Sequence, residues 1–395
     1  MTIRRMSLAA ALGLALIAVG CHNDELFSPV VPAYTGGAMF VRYVAMGNSI
    51  TAGFQSGGIN DSTQKQSYAR LVANQMGSTY YYPKLVMPGC PPPFTNIFTN
   101  TRVAGGTATT CYYRNDTIPP FLSNVAVPGA EVMDILHNGP TPGTSSNALT
   151  QLFLGGRTQI QAMMAARPTF VSVWIGNNDV LGAALAQDIS LLTPVPAFTA
   201  SYTEVVDSIE AAGAKAVLIG IGEGSLLPYF STGSTYFALK QGGVAFPPTF
   251  AVDSASCATP RGDTVLVAFP VGAALINAAL VSPDTLNCAN PAQAIQPADV
   301  IALQTAIVTF NTIIASQATA HGWAYTDFNF QFDSLRGLGQ VAAFPNLGAA
   351  CSTSPFGTAF SCDGIHPSAA SSKMMARRLV QVINTKYNST IPTIP

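Results

Sequence analysis

The sequence predicts a three-layer α/β/α fold on a mainly parallel sheet, interrupted by one disulfide-containing insert. Three observations predict it. Short buried apolar runs alternate with helical stretches from residue 39 onward. Right-handed crossovers between such runs place helices on both faces of the sheet. A chain of 395 residues is also long enough to build a sizeable core.

Residues 1–20 read as an export signal, with Arg4 and Arg5 before an apolar run from Leu8 to Val19. Ala18-Val19-Gly20-Cys21 resembles a bacterial lipobox, which implies that Cys21 is lipidated and becomes the mature N-terminus. His22, in place of an aspartate, favours an outer-membrane address, so an exported, lipid-anchored protein is expected. Residues 21–38 form a tether with Pro29, Pro32, Gly36 and Gly37. The main domain is expected over 39–385, with its insert at about 222–297, and 386–395 as a C-terminal tail.

Within the domain, Met39 to Met46 is an apolar strand that breaks at Gly47, leaving Ser49 where strand turns into helix. Tyr68 to Met76 reads as helix. Residues 83–123, rich in Pro, Thr and Asn, read as a long surface excursion. Asn124 to Val127 is a short strand that meets Pro128-Gly129-Ala130, with helix continuing to Leu136. A helix at about 147–166 leads to the strand Thr169 to Ile175, which ends at Gly176-Asn177-Asn178-Asp179. A helix near 198–212 precedes the strand Ala214 to Ile221. After the insert come a helix near 298–320, a strand Trp323 to Asp327, a loop bounded by Cys351 and Cys362, and a final helix at 368–385. The insert's apolar run Val265 to Val281 is broken by Pro270, Gly272 and Asn277, and reads as buried structure rather than a membrane span.

Composition narrows the function. Charged residues are 9% of the chain, and without residues 1–20 the balance is 16 Lys+Arg against 19 Asp+Glu, a net charge of −3. That is no surface for nucleic acid. Besides Cys21 there are six cysteines: Cys90, Cys111, Cys257, Cys288, Cys351 and Cys362. An even number in an exported chain suggests disulfides, and the choice among connectivities stays open, with neighbour pairing the expectation. No zinc-type spacing occurs, and Gly220-Ile221-Gly222-Glu223-Gly224 lacks the spacing of a dinucleotide fingerprint, so no metal or cofactor is expected.

Attack by a serine needs a base, an acid to orient the base, and donors for the oxyanion. Of the four histidines, His22, His137 and His321 sit in a tether, a linker and a helix end. His366 differs, because Asp363-Gly364-Ile365-His366 puts a carboxylate three residues before it at the mouth of the last helix. A loop of that spacing can bring the carboxylate to one ring nitrogen and leave the other free.

With these residues the chain resembles the SGNH (GDSL-type) hydrolase superfamily over about 40–222 and 298–385. Four family blocks appear in order: Gly47-Asn48-Ser49, Asn124 to Ala130, Gly176 to Asp179, and Asp363 to His366. The resemblance implies a flavodoxin-like sheet and a serine ester hydrolase with Ser49 as nucleophile, His366 as general base and Asp363 orienting it. It further implies an oxyanion hole made of the Ser49 and Gly129 backbone N–H groups and the Asn178 amide. One departure is Asn48, where the family usually has an aspartate that is not the triad acid. The expected substrate is an acyl lipid or an acylated carbohydrate. The alternatives are a carbohydrate O-deacetylase or acyltransferase with the same site, or a non-catalytic binding lipoprotein. The insert leaves the sheet on the edge of Ser49, so its apolar run Val265 to Phe269 is expected to wall an acyl pocket through Phe269.

Overall fold

The strands form where the sequence is apolar on both faces, because helices cover both sides of a parallel sheet. The computed structural model describes residues 37–111, 114, 119–137, 148–223, 227–244 and 246–395. The export signal, Cys21 and the tether up to residue 36 lie outside the described residues. Four strands pair in parallel in the order β1 (Tyr43–Gly47), β2 (Phe170–Trp174), β3 (Lys215–Ile219) and β4 (Ala324–Thr326). Residues 123–127 run parallel along the outer edge of β1. There Ala45 N–H reaches Ser123 O at 2.7 Å, Val125 N–H reaches Ala45 O at 2.9 Å, and Val127 N–H reaches Gly47 O at 3.1 Å. Every carboxyl end therefore lies on one edge.

The period of two along each strand sorts side chains into two cores. Val44, Met46, Val171, Val173, Ala216 and Leu218 join one cluster; Tyr43, Ala45, Phe170, Trp174, Val217 and Ile219 join the other. The helices divide accordingly. α1 (Ser49–Ala52) follows β1, and α2 (Tyr68–Met76) covers the second face, capped by Ser67 and ended by Gly77 at φ 63°. α3 (Gln159–Ala166), α4 (Asn178–Ala186), α5 (Val195–Ala211) and α6 (Pro297–Ala320) supply buried residues to the first cluster. α6 is long and apolar enough to cross a membrane, yet Leu303, Ile307, Phe310 and Ile314 on it are buried against the sheet's first face. α7 (Ala369–Tyr387) returns to the second face beside α2 through Met375, Leu379 and Ile383. Beyond it Ile391 and Ile394 are buried in the same cluster.

Three local expectations change. The strand expected from Met39 to Met46 begins only at Tyr43, because Ala38–Phe40 forms a 3-10 turn. The helix at 147–166 is two helices, Ala148–Leu154 and α3, because Gly155 and Gly156 adopt φ of 62° and 85° and Thr158 starts the second with a capping box. The helix before Leu136 is a single 3-10 turn, Met133–Ile135, where the Asp134 carboxylate takes the Glu131 N–H at 2.9 Å.

The insert has its own small core of Tyr236, Phe250, Val265, Val267 and Leu286. Phe230–Thr232 pairs antiparallel with Leu266–Ala268, and Phe250–Val252 pairs parallel with Asp284–Leu286. Three disulfides join sequence neighbours, Cys90–Cys111, Cys257–Cys288 and Cys351–Cys362, as expected.

Gln159 is a buried amide that clamps the end of β1. It accepts the Gly47 N–H at 2.9 Å and donates to Gly47 O at 2.8 Å. Gln159→Ala would leave the buried Gly47 N–H without a partner, at about 1–3 kcal/mol, while Gly47 O keeps the Val127 N–H. The expected result is a loss of about 1–3 kcal/mol in urea unfolding. An unchanged midpoint would remove the clamp from this account.

Candidate active site

A turn that demands glycine presents Ser49. Gly47 has φ 147°, and any side chain there would collide with the Trp174 carbonyl. Asn48 then caps α1, its Oδ1 accepting the Ile50 N–H at 3.1 Å. Its amide donates to Asn177 Oδ1 at 3.2 Å, so the departure from aspartate serves a cross-strand contact that a carboxylate could not donate. Ser49 opens α1 and keeps only 9% of its surface exposed.

The loop before α7 brings the other two groups to it. His366 Nε2 lies 2.8 Å from Ser49 Oγ, and His366 Nδ1 lies 2.8 Å from Asp363 Oδ2. Asp363 is buried, and burial alone would raise its carboxyl. The charge and hydrogen bonds of His366, with the Ile365 N–H, outweigh that and hold it at about 2. An ionised carboxylate only accepts, so Nδ1 carries the proton and Nε2 is left to accept from the serine hydroxyl. Gly364 takes φ 69°, and a side chain there would strike the Phe356 ring.

A third element joins at the same edge. Asn178 opens α4 after β2, and its amide donates to Ala130 O at 2.8 Å. It thereby holds the loop that carries Gly129, which has φ 82°. Next to it Asp179 Oδ2 accepts the Val132 N–H at 3.0 Å; burial pushes that carboxyl up to about 7. Ser49, His366, Asn178, Asn48 and Asn177 line one cleft, which continues between the insert, α4 and α6.

A family model described as GDSL-like lipase/acylhydrolase matches residues 43–379. The chain belongs to the GDSL-like lipase/acylhydrolase family. It is an ester hydrolase of that family, on the fold the sequence predicts. No curated protein matches the sequence. Among solved structures, the chain is similar to a catalytic mutant of Axe2, an acetylxylan esterase from Geobacillus stearothermophilus, at 11% identity and TM-score 0.38, covering 87% of this chain and 93% of that one. It is also similar to TesA, at 13% identity and TM-score 0.36, covering 87% and 99%. A third is LAE5, an alpha/beta hydrolase enzyme from the metagenome of Lake Arreo, Spain, at 13% identity and TM-score 0.38, covering 87% and 97%. At these scores the likenesses say nothing of substrate.

The structure of this GDSL-family chain leaves the other described histidines elsewhere. His137 is exposed, and His321 pairs with Glu210 at 3.5 Å. With Asp207 these two form a largely exposed group whose ligand atoms lie within 4.8 Å of one another, and none of the three lines the cleft. Phe269 is a correction. It packs among Phe98, Tyr229 and Phe356 and does not line the cleft. Leu266 lines it instead, because alternation along the strand turns Val265 and Val267 into the insert core. Sequence reasoning missed Gln159, Ser361 and Gly57, the last two of which donate to Asp363. No motif marks them.

The depressed Asp363 value fixes a sign. A carboxyl whose folded pKa lies below the free value of about 3.9 adds stability above that pH and loses it as pH falls towards 2. Asp363→Asn should remove about 2–3 kcal/mol at pH 6 and flatten the loss of stability between pH 4 and 2. Urea unfolding at a series of pH values checks this; parallel curves for variant and wild type would contradict it.

Proposed function

We propose that this GDSL-family enzyme hydrolyses esters through an acyl-enzyme on Ser49. The observation that carries the reading is the unbroken line from Ser49 Oγ through the His366 ring to Asp363, 2.8 Å at each step. His366 Nε2 takes the hydroxyl proton as the Ser49 oxygen bonds to the ester carbon. It returns that proton to the leaving alkoxide when the carbon–oxygen bond to the alcohol breaks. Water, deprotonated by His366, then attacks the acyl carbon, and as the bond to Ser49 Oγ breaks that oxygen takes the proton back from His366 and the acid is released. Asp363 orients the ring and offsets the positive charge it gains.

The backbone N–H groups of Ser49 and Gly129 and the second N–H of the Asn178 amide stabilise the oxyanion in this reading; the first is given to Ala130. The substrate is an acyl lipid or an acylated carbohydrate. The enzyme works outside the cell, held to the outer membrane by a lipid on Cys21 once residues 1–20 are removed; the run Ala18-Val19-Gly20-Cys21 supports this.

Ser49→Ala should abolish ester turnover and labelling by a fluorophosphonate probe while circular dichroism stays that of the wild type. Asn178→Ala should lower kcat by about 10²–10³ with little change in KM. Turnover by the Ser49 variant, or an Asn178 effect confined to KM, would refute the respective role.

The anchor has its own check. Cys21→Ser should move the exported protein from the membrane fraction to the soluble fraction, and unchanged sedimentation with membranes would rule out lipidation at Cys21.

A further inference from the structure

The cleft at Ser49 has two chemically different ends. Its polar groups gather beside the serine: Asn48 contacts Asn177, Gly222 lies against Asn177, and the Glu223 N–H donates to Asn329 at 2.9 Å. The rest of the lining is mainly aliphatic. Val180 and Ala184 continue it along α4, away from Asn178. Leu303 and Ile307 stand one turn apart on α6, on a stripe that Gln304 alone interrupts with a polar group. The insert closes the third side with Leu266 and Ile295, whose backbones hydrogen-bond to each other at 2.8 and 3.3 Å.

These walls have a length. From Asn178 to Ala184 along α4 is roughly 9 Å at 1.5 Å per residue. The α6 stripe from Val300 to Ile307 covers a similar span of roughly 10 Å. With carbon–carbon bonds near 1.5 Å, a zig-zag alkyl chain of about eight carbons fits that length. An acetyl group would leave the channel empty, and sugar hydroxyls placed there would find almost no hydrogen-bond partners.

We propose that this channel is an acyl-chain site, and that the enzyme acts on esters of unbranched aliphatic acids of about eight carbons in preference to acetyl esters. The inference rests on Ser49 being the nucleophile. The leaving alcohol must take its proton from His366 Nε2, so it lies on the imidazole side of the ester. Ile365 and Pro367 flank the imidazole in the same cleft, and the longer wall, along the helix that begins at Asn178, is the one assigned to the acyl part. Leu266 and Ile295 make the insert a specificity-determining element, because they supply the wall that the α/β core lacks.

The test is kcat/KM on 4-nitrophenyl acetate, butanoate and octanoate, beside a series of alkyl acetates of increasing alcohol length. Each buried methylene is worth about fourfold, so octanoate should exceed acetate by at least tenfold even with partial burial. The alcohol series should stay within about threefold, a ceiling set below one buried methylene. Leu266→Asp should lower the octanoate-to-acetate ratio by about tenfold or more, and the milder Leu266→Ala should lower it in the same direction should the charged variant fail to fold. A wild type that prefers acetate, a preference that follows the alcohol, or folded variants with the ratio unchanged would each overturn the channel assignment. Ser49→Ala separates the two readings. If that variant is inactive while the wild type prefers acetate, the nucleophile stands and the channel falls; if the variant retains turnover, both fall.

Discussion

A buried carboxylate is the constraint around which the active-site edge is built. Asp363 is ionised and out of water, a state that costs several kcal/mol unless the lone pairs are satisfied. Five donors meet it: the N–H groups of Gly57, Ile365 and His366, the Ser361 hydroxyl, and His366 Nδ1. Supplying the Gly57 N–H requires an unusual turn, with Ser56 and Gly57 at φ 54° and 64°. A non-glycine residue in that region costs about 1–2 kcal/mol. Reciprocal bonds offset it, from Ser56 N–H to Ser361 Oγ at 2.8 Å and from Cys362 N–H to Ser56 Oγ at 3.1 Å. One charge thus determines the shape of two loops remote in sequence.

The surrounding insertions extend the same scaffold. Arg102, buried in the excursion after residue 83, donates to Gly57 O at 2.8 Å and stacks its guanidinium 3.6 Å from the Phe94 ring centre. It holds the carbonyl of Gly57, the residue whose N–H faces Asp363. The insert reaches the Asp363–His366 loop as well, where Tyr229 N–H donates to Gly364 O at 3.0 Å and Phe269 N–H donates to Tyr229 O at 2.9 Å. Phe269 then anchors between Phe98 and Phe356, under the loop that Gly364 turns. The residue expected to face substrate supports the loop instead.

What the sequence made legible follows from how local each signal is. Buried strands, their breaks at Gly47 and Gly176, and the Asp363–His366 spacing are local patterns and lie where they were expected, except that the first strand starts at Tyr43 and not at Met39. The capping Asn48 and the helix before Leu136 depended on one side chain's hydrogen bond, which periodicity does not carry. Gly155-Gly156 was a visible break signal that the apolar pattern on both sides of it obscured. Gln159, Ser361 and Arg102 act across 112, 2 and 45 residues of sequence respectively. Only folding brings the distant two to their partners, and Ser361, though close, has no motif of its own. Phe269 was misplaced for a simpler reason: alternation from Val265 already put Leu266, not the larger aromatic, on the opposite face from Val267.

The distribution of charge around Ser49 gives the departure at Asn48 a physical sense. Negative charge belongs behind the imidazole, where Asp363 holds it, and is costly beside the proposed oxyanion, where the reaction creates its own. The side chains nearest Ser49 in sequence and at the ends of the two strands are Asn48, Asn177 and Asn178, all neutral, with Asn48 and Asn177 bonded to each other, while Glu223 also lines the cleft. The nearest acid in sequence, Asp179, is driven by burial towards its protonated form and spends Oδ2 on the Val132 N–H. An aspartate at 48 would add a carboxylate whose only new neighbour is the Asn177 carbonyl oxygen, an acceptor facing an acceptor unless that amide turned over. Asparagine keeps the cap on α1 and ties the ends of β1 and β2 together without that charge. The substitution therefore preserves the local geometry without adding a charge next to Ser49.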